Sequence, residues 1–148
     1  LRSRPEGGDV STDSLFMEEA IRLAFRSMNK KHLTGCVLTY GKDIVCRGWA
    51  HTGEWRHNNL YSVHAEIHAL MRGRHIDLTG CTAYIACVAK KSKAVRNARP
   101  CLSCATALVG YGIDYAIYTE PNLRDYLMLE IYLPEAIESA ELKVYKQR

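Results

Sequence analysis

Two short segments that lie far apart in the chain constrain its fold more than any other feature of the sequence. The first reads HAE at residues 64–66, and the second reads PCLSC at residues 100–104. Cys101 and Cys104 are three residues apart, a spacing that places both sulfurs on one face of a helix. His64 offers a third ligand, and histidine with two thiolates is a donor set that binds zinc. The fold must therefore bring two distant segments together around one ion.

The same residues predict an ion with one open coordination position. Three protein ligands leave the fourth tetrahedral position free, which distinguishes a catalytic zinc site from a structural one. Such an ion lowers the pKa of a bound water towards about 7. Glu66 follows His64 by two residues and can carry protons between that water and a substrate. We therefore predict His64, Cys101 and Cys104 as metal ligands and Glu66 as the catalytic proton carrier.

A different interpretation uses His68 as a fourth ligand. His68 lies four residues after His64, so both rings would share one helix face. Together with the two cysteines they would form a closed Cys₂His₂ site in a zinc-binding module without catalytic activity. A lone C-x-x-C pair is also compatible with redox chemistry or with half of a structural zinc site. The closed arrangement gives Glu66 and Pro100 no role, which favours the open site.

Composition limits the class of protein. The chain has 148 residues, of which 47% are hydrophobic and 24% charged, as in a soluble domain with one core. A net charge of +4 permits an anionic substrate without requiring nucleic acid. The first ten residues lack the apolar run of a signal peptide, and no segment predicts a membrane span. Four cysteines remain beyond the zinc pair and are expected as buried free thiols, so we expect a cytoplasmic location, with the nucleus as the alternative.

The order of apolar patterns predicts helices packed on a sheet. Residues 1–12 are expected to form a flexible lead-in, and residues 13–148 a single domain. In the first half of the chain, the pattern predicts a helix from Asp13 or Ser14, strands over 33–40 and 43–50, a loop over 51–62 and a helix over 64–72. A buried strand over 82–88, a basic loop over 90–99 and a helix over 100–110 are predicted next. The last predicted elements are a strand over 113–119, a helix from Asn122 that Pro134 interrupts, and an edge strand over 141–146. This α/β alternation predicts parallel strands in the middle, with both metal-binding segments at helix starts.

Polar and aromatic residues around the two segments are candidates for substrate contacts. Segment 51–62 runs directly into His64, so it is expected to line the pocket that the metal serves. The predicted pocket residues are His51, Asn58, Asn59, Tyr61, Ala65 and Pro100. Trp55, His57 and Tyr61 are suited to stacking on a base, although packing is the commoner use of such side chains. The basic segment 90–99 is either a solvated loop or a site for phosphate near the metal.

With these residues, the chain resembles the cytidine deaminase superfamily of zinc-dependent enzymes. The HAE and PCLSC segments carry the resemblance, which extends over about residues 13–120. It implies a three-layer α/β/α fold with a five-stranded mixed sheet, a Zn²⁺ cofactor and hydrolytic release of ammonia from an aminated pyrimidine. It also implies a homo-oligomer.

The subfamily is indicated by the first ligand and by the residues near it. A histidine as first ligand is similar to deoxycytidylate deaminases, which implies a cytosine nucleotide as substrate. It is also similar to enzymes that act on a base within RNA or DNA, which is the alternative. HAEIHAL at 64–70 further resembles riboflavin-pathway and tRNA-adenosine deaminases. Those families often place Asn or His directly after Gly-Trp, where this chain has Ala50 and then His51, so Asn58 or Asn59 is expected to replace the substrate-contacting Asn.

Overall fold

A mixed β-sheet with helices on both faces organises the described part of this computed structural model, which comprises residues 10–29, 31–54, 60–123 and 125–144. In chain order the elements are α1 (Val10–Ala24), β1 (His32–Tyr40), β2 (Asp43–Trp49), β3 (His51–Glu54), β4 (Leu60–Val63), α2 (Ala65–Arg72), β5 (Thr82–Ala89), β6 (Val95–Arg96), α3 (Leu102–Gly110), β7 (Tyr115–Pro121), β8 (Tyr126–Tyr132) and α4 (Leu133–Glu138). The main sheet has the order β2-β1-β5-β7-β8, and the short β6 pairs with β5. The predicted five-stranded mixed sheet is therefore confirmed, with one short strand added.

Strand β5 lies in the middle of the sheet because its sequence, TAYIACVA, is apolar nearly throughout. All its residues except the last are buried, as expected for a strand covered on both faces. It pairs antiparallel with β1 and parallel with β7, in the register Thr82↔Tyr115. The connection from β5 to β7 contains α3, since parallel neighbours need a crossover. Within the described strands, the predicted parallel arrangement is confined to this one pair.

Helices cover both faces of the sheet. On one face, α1 packs Met17 and Leu23 against β1 and β5, and each of these side chains is almost fully buried. Burial of such a side chain contributes about 1.5–3 kcal/mol. On the other face, α2 and α3 form the larger core with β1, β5 and β7. Helix α1 begins three residues before the predicted cap, and the Asp13 carboxylate instead accepts a hydrogen bond from the hydroxyl of Tyr84 on β5.

The segment after β7 differs most from the sequence prediction. No helix begins at Asn122; residues 126–132 form β8, antiparallel to β7. Pro134 does not interrupt a helix but lies in the first turn of α4, where a missing N–H breaks no hydrogen bond. Ile131 and Leu133 are buried against the core, so their burial fixes where strand changes to helix. Residues 141–144, the described part of the predicted edge strand, are not in a strand.

Two predicted loops contain strands. The segment predicted as a loop over 51–62 forms the β3–β4 hairpin, with Thr52 opposite Ser62. The basic segment over 90–99 contains β6, which pairs Arg96 with Cys87. The four cysteines beyond the predicted metal ligands, Cys36, Cys46, Cys81 and Cys87, are buried free thiols, as predicted. None of the described helices has the length and apolar character needed to cross a membrane.

We expect Gly48→Ala to destabilise the fold, because Gly48 lets α2 lie directly on β2. A Cβ atom at this position would lie 2.4 Å from Ala69 N and 2.6 Å from Ala65 O. Both are backbone atoms, so the helix must move, at a cost of about 1–3 kcal/mol. The midpoint of urea unfolding measures this loss. Gly110→Ala is the matched control: its Cβ would meet no atom within 4 Å, so equal midpoints for the two variants would contradict the prediction.

We also expect a pH-dependent contribution from Glu19, which links α1 to β2. Its carboxylate accepts hydrogen bonds from Arg22, at 3.0 Å, and from Arg47, at 2.7 Å. The bond from Arg22 lowers the pKa of Glu19 from 4.5 to about 2, so its contribution is present above pH 4.5 and is lost as the pH falls towards 2. Glu19→Gln should cost less than about 1 kcal/mol at pH 7, since the pair is near the surface. Urea unfolding should show this difference shrinking below pH 4.5; a difference independent of pH would refute the assignment.

Candidate metal centre and active site

The starts of α2 and α3 meet on one side of the sheet and bring three ligand side chains together. His64 is the N-cap residue of α2, Cys101 is the N-cap residue of α3, and Cys104 lies in the first turn of α3. The Nδ1 atom of His64 lies 3.2 Å from the Sγ atom of Cys104 and 3.8 Å from that of Cys101. All three ligand atoms lie within 4.8 Å of one another. The two distant segments therefore meet as the sequence predicted.

The spacing of these atoms fits a zinc ion. Around tetrahedral zinc, sulfur and nitrogen ligands are about 3.5–3.8 Å apart, given bond lengths of about 2.3 and 2.0 Å. Hydrogen bonding from the Cys104 thiol lowers the pKa of Cys101 to about 4, and the backbone N–H of Cys104 adds a further hydrogen bond to the same sulfur. The pKa of Cys104 is raised by the neighbouring sulfur of Cys101. One thiolate is thus favoured already, and a bound cation would stabilise the second.

Glu66 is buried beside this cluster. It lies in the first turn of α2, is only 5% exposed, and lines the same pocket as His64 and Cys101. Burial raises the pKa of its carboxyl group. A raised pKa makes a carboxylate a stronger proton acceptor, which suits a group that carries protons. The arrangement therefore provides a metal site and a proton carrier within one pocket.

His68 does not complete a closed site. Its Nδ1 atom accepts a hydrogen bond from the backbone N–H of Trp49 at 3.1 Å. Its ring packs edge-on against the rings of Trp49 and His51, each with a centroid distance of 4.6 Å. Within the described residues, the one cluster of metal-ligating side chains has His64, Cys101 and Cys104 as its members. The Cys₂His₂ alternative is therefore not the arrangement that the chain adopts.

The predicted substrate contacts are only partly brought to the pocket, which has a volume of about 340 Å³. Ala65 lines it as predicted, whereas His51 packs against His68 and is not among the described lining residues. Pro100 faces a neighbouring groove instead. The side chain of Tyr61 and the whole of residues 55–59, which include Trp55, His57, Asn58 and Asn59, lie outside the described part of the structure.

Other pocket residues were not identified from the sequence. Asn29, Thr34, Ser62 and Asn97 line the pocket near Glu66. Asn97 precedes Pro100 by three residues, so its closeness to the ligand segment in the sequence could have identified it as a pocket residue. Its side-chain amide donates to Glu120, while its Oδ1 atom accepts from the backbone N–H of Arg99 at 2.9 Å. Asn29 gave no such signal, because it lies far from both ligand segments in the sequence.

Comparison with known proteins places the chain in a family. The family described as "Cytidine and deoxycytidylate deaminase zinc-binding region" matches residues 10–120, which include all three metal ligands and Glu66. No curated protein matches the sequence. Among solved structures, the dCMP deaminase of cyanophage S-TIM5, in complex with dCMP and dUMP, has 17% identity and a TM-score of 0.62, and the match covers 95% of this chain and 100% of that one.

Two further structures share the fold. Cytidine deaminase from Burkholderia pseudomallei has 14% identity and a TM-score of 0.59, with 82% of this chain and 93% of that chain covered. Acinetobacter baumannii RibD has 24% identity and a TM-score of 0.52, with 76% of this chain covered but only 29% of the longer RibD chain. The family match spans most of the sequence, and the three ligands form a zinc site within it. The protein therefore belongs to the cytidine and deoxycytidylate deaminase family of zinc-dependent hydrolytic deaminases.

Proposed function

We propose that this protein deaminates a free cytosine nucleotide of the deoxycytidylate type and releases ammonia. The observation that carries the proposal is the buried Glu66 next to a three-ligand cluster in a pocket of about 340 Å³. That volume lies near the lower end of the range for small-molecule sites, about 300–1,000 Å³. Arg99 also lines the pocket and supplies a positive charge for an anionic ligand.

The chain's own residues account for binding and proton transfer. His64, Cys101 and Cys104 would hold a zinc ion, which would make a water nucleophilic at neutral pH. Glu66 takes a proton from the water that attacks the amino-bearing carbon of the base and passes it to the adjacent ring nitrogen. A second transfer through the same carboxyl group protonates the amino group, the C–N bond breaks, and ammonia leaves as the ring carbonyl forms. Burial of Glu66 favours the protonated form that exists within each transfer, after the carboxylate takes the proton and before it delivers it.

A deoxycytidylate-type substrate is supported by two further points. The S-TIM5 enzyme of similar fold was solved with dCMP and dUMP bound. Histidine as first ligand is the feature that this chain shares with deoxycytidylate and nucleic-acid deaminases. The second candidate function, deamination of a base within RNA or DNA, is favoured by a groove of about 570 Å³ that adjoins the pocket.

We expect Glu66→Gln to abolish turnover while the protein keeps its zinc. Glutamine has the same shape but cannot accept a proton, so kcat should fall by at least about 10²–10⁴-fold. Ammonia release measures the turnover, and elemental analysis measures the bound metal. His68→Ala is the control for metal binding and should retain one zinc per chain, because His68 is not part of the ligand cluster formed by the described residues. Undiminished turnover in Glu66→Gln, or zinc lost from His68→Ala, would overturn the proposed roles.

The dependence of activity on salt should separate the two substrate classes. For dCMP we expect kcat/KM to change little between 50 and 200 mM salt, whereas affinity for a single strand falls with a log–log slope of about −0.7 per phosphate contacted. An ammonia-release screen over cytosine and adenine nucleosides, nucleotides and single-stranded oligonucleotides provides the measurement. Strong preference for an oligonucleotide, with a steep salt dependence, would replace the first candidate by the second.

A further inference from the structure

A second cavity opens directly beside the catalytic pocket. This groove has a volume of about 570 Å³, and its described lining residues include His32, Asn97, Arg99 and Cys101, which also line the pocket. The two cavities are therefore immediate neighbours. The groove alone is within the size range of ligand sites, about 300–1,000 Å³, and the proton relay of Glu66 makes no use of it.

The groove carries an excess of positive charge. Arg96, Arg99 and Lys143 line it, together with one carboxylate, Glu141. Arg99 is paired with that carboxylate, with 3.3 Å between Nη2 and Oε2. Within the described part of the chain, no ion pair engages Arg96 or Lys143. Among the described residues, two cationic side chains that line the groove thus have no carboxylate partner, which favours an anionic ligand.

These cations project from backbone that is held in place. Strand β6 pairs Arg96 with Cys87 on β5, and the Arg96 carbonyl accepts a hydrogen bond from the Thr119 hydroxyl at 2.8 Å. The Lys143 carbonyl accepts from the backbone N–H of Leu102 at 2.9 Å, and the preceding Leu142 is buried in the core. The backbone that carries these two side chains is therefore fixed, and less entropy is lost when they bind a ligand.

The lysines of the basic segment 90–99 do not line the groove. Lys90 and Lys91 lie at the turn between β5 and β6 and do not line the groove. The Nζ atom of Lys93 lies 5.7 Å from the centre of the Phe25 ring, a cation–π contact away from the cavity. Of the cations in segment 90–99, Arg96 and Arg99 therefore contribute positive charge to the groove, whereas the lysines do not.

We propose that this groove binds the phosphate attached to the target nucleotide, with Arg96, Arg99 and Lys143 as its contacts. The inference rests on the proposed function, since it takes the base to lie beside Glu66. Arg99 lines both cavities, so it is placed where the nucleoside ends and the phosphate begins. Arginine is suited to this position because its planar guanidinium can bind two phosphate oxygens at once. A phosphate monoester and a phosphodiester present the same chemistry to these side chains.

Charge-removing variants test the proposal. In the double variant Arg96→Gln/Lys143→Gln, the ratio of kcat/KM for dCMP to kcat/KM for deoxycytidine should fall by roughly tenfold or more, because two charge-assisted contacts are lost. The two single variants should each show part of this fall. Lys42→Gln is the matched control, because it removes one exposed charge at the turn between β1 and β2, at the opposite end of β1 from His32. An unchanged ratio in the double variant would overturn the proposal.

Equilibrium binding separates this inference from the proposed function. Titration calorimetry with dUMP and with deoxyuridine needs no turnover. If no substrate is deaminated, but the unmodified protein prefers dUMP and the double variant loses that preference, the phosphate site stands and the proposed function fails. Equal affinity of the unmodified protein for dUMP and deoxyuridine would refute the site. A short single-stranded oligonucleotide identifies the source of the phosphate. If the variants lower the affinity for the oligonucleotide more than the affinity for dCMP, the groove binds a phosphodiester. If the loss of affinity for the oligonucleotide is equal or smaller, the groove binds a phosphate monoester.

Discussion

The contact between the starts of α2 and α3 is the constraint on which the rest of the structure depends. Backbone N–H groups at a helix start have no partner within the helix and carry partial positive charge. Cys101 occupies the N-cap of α3 and accepts the N–H of Cys104, so its sulfur satisfies one of these donors while it faces His64. Local helix geometry thus favours the thiolate, and the sheet must hold a second helix start within ligand distance of it. Neither helix could shift along the sheet without separating the three ligand atoms.

Close packing of helices on strands fixes the positions of the helices relative to the sheet. Gly48 on β2 leaves room for the backbone of α2 at Ala65 and Ala69, and Gly35 on β1 does the same for α1, where a Cβ would lie 2.1 Å from Ala20 O. Backbone packed against backbone leaves little freedom for sliding, because no flexible side chain can adjust between them. The positions of His64 and Glu66 therefore depend on small residues on neighbouring elements as much as on the HAE segment itself.

The sequence predicted best where local spacing carries the information. The metal ligands, the starts of the helices that bear them and the buried β5 all follow from patterns within a few residues. By contrast, the segment YLMLEIYLPEAIE fits either a strand or a helix, and only the burial of Ile131 and Leu133 decides where one ends and the other begins. The two-residue β6 has no pattern of its own and exists because β5 offers it hydrogen bonds. Asn29 and Lys143 line cavities whose other walls come from segments that are distant in the chain, which no local pattern encodes.

Electrostatics supports the proposed division between a pocket for the base and a groove for the phosphate. Two thiolates would balance the charge of a zinc ion, which leaves the ionised form of Glu66 as an additional negative charge beside the reacting base. A phosphate next to that carboxylate would be repelled, and the repulsion would be strong in a buried site of low dielectric. In the proposed arrangement, an anion in the adjoining cavity lined by Arg96 and Lys143 would avoid this conflict while the base would stay close to Glu66. The chemistry would then depend on the two helix starts, and selection of the ligand would depend on short segments beside them, where sequence can change without disturbing the metal ligands.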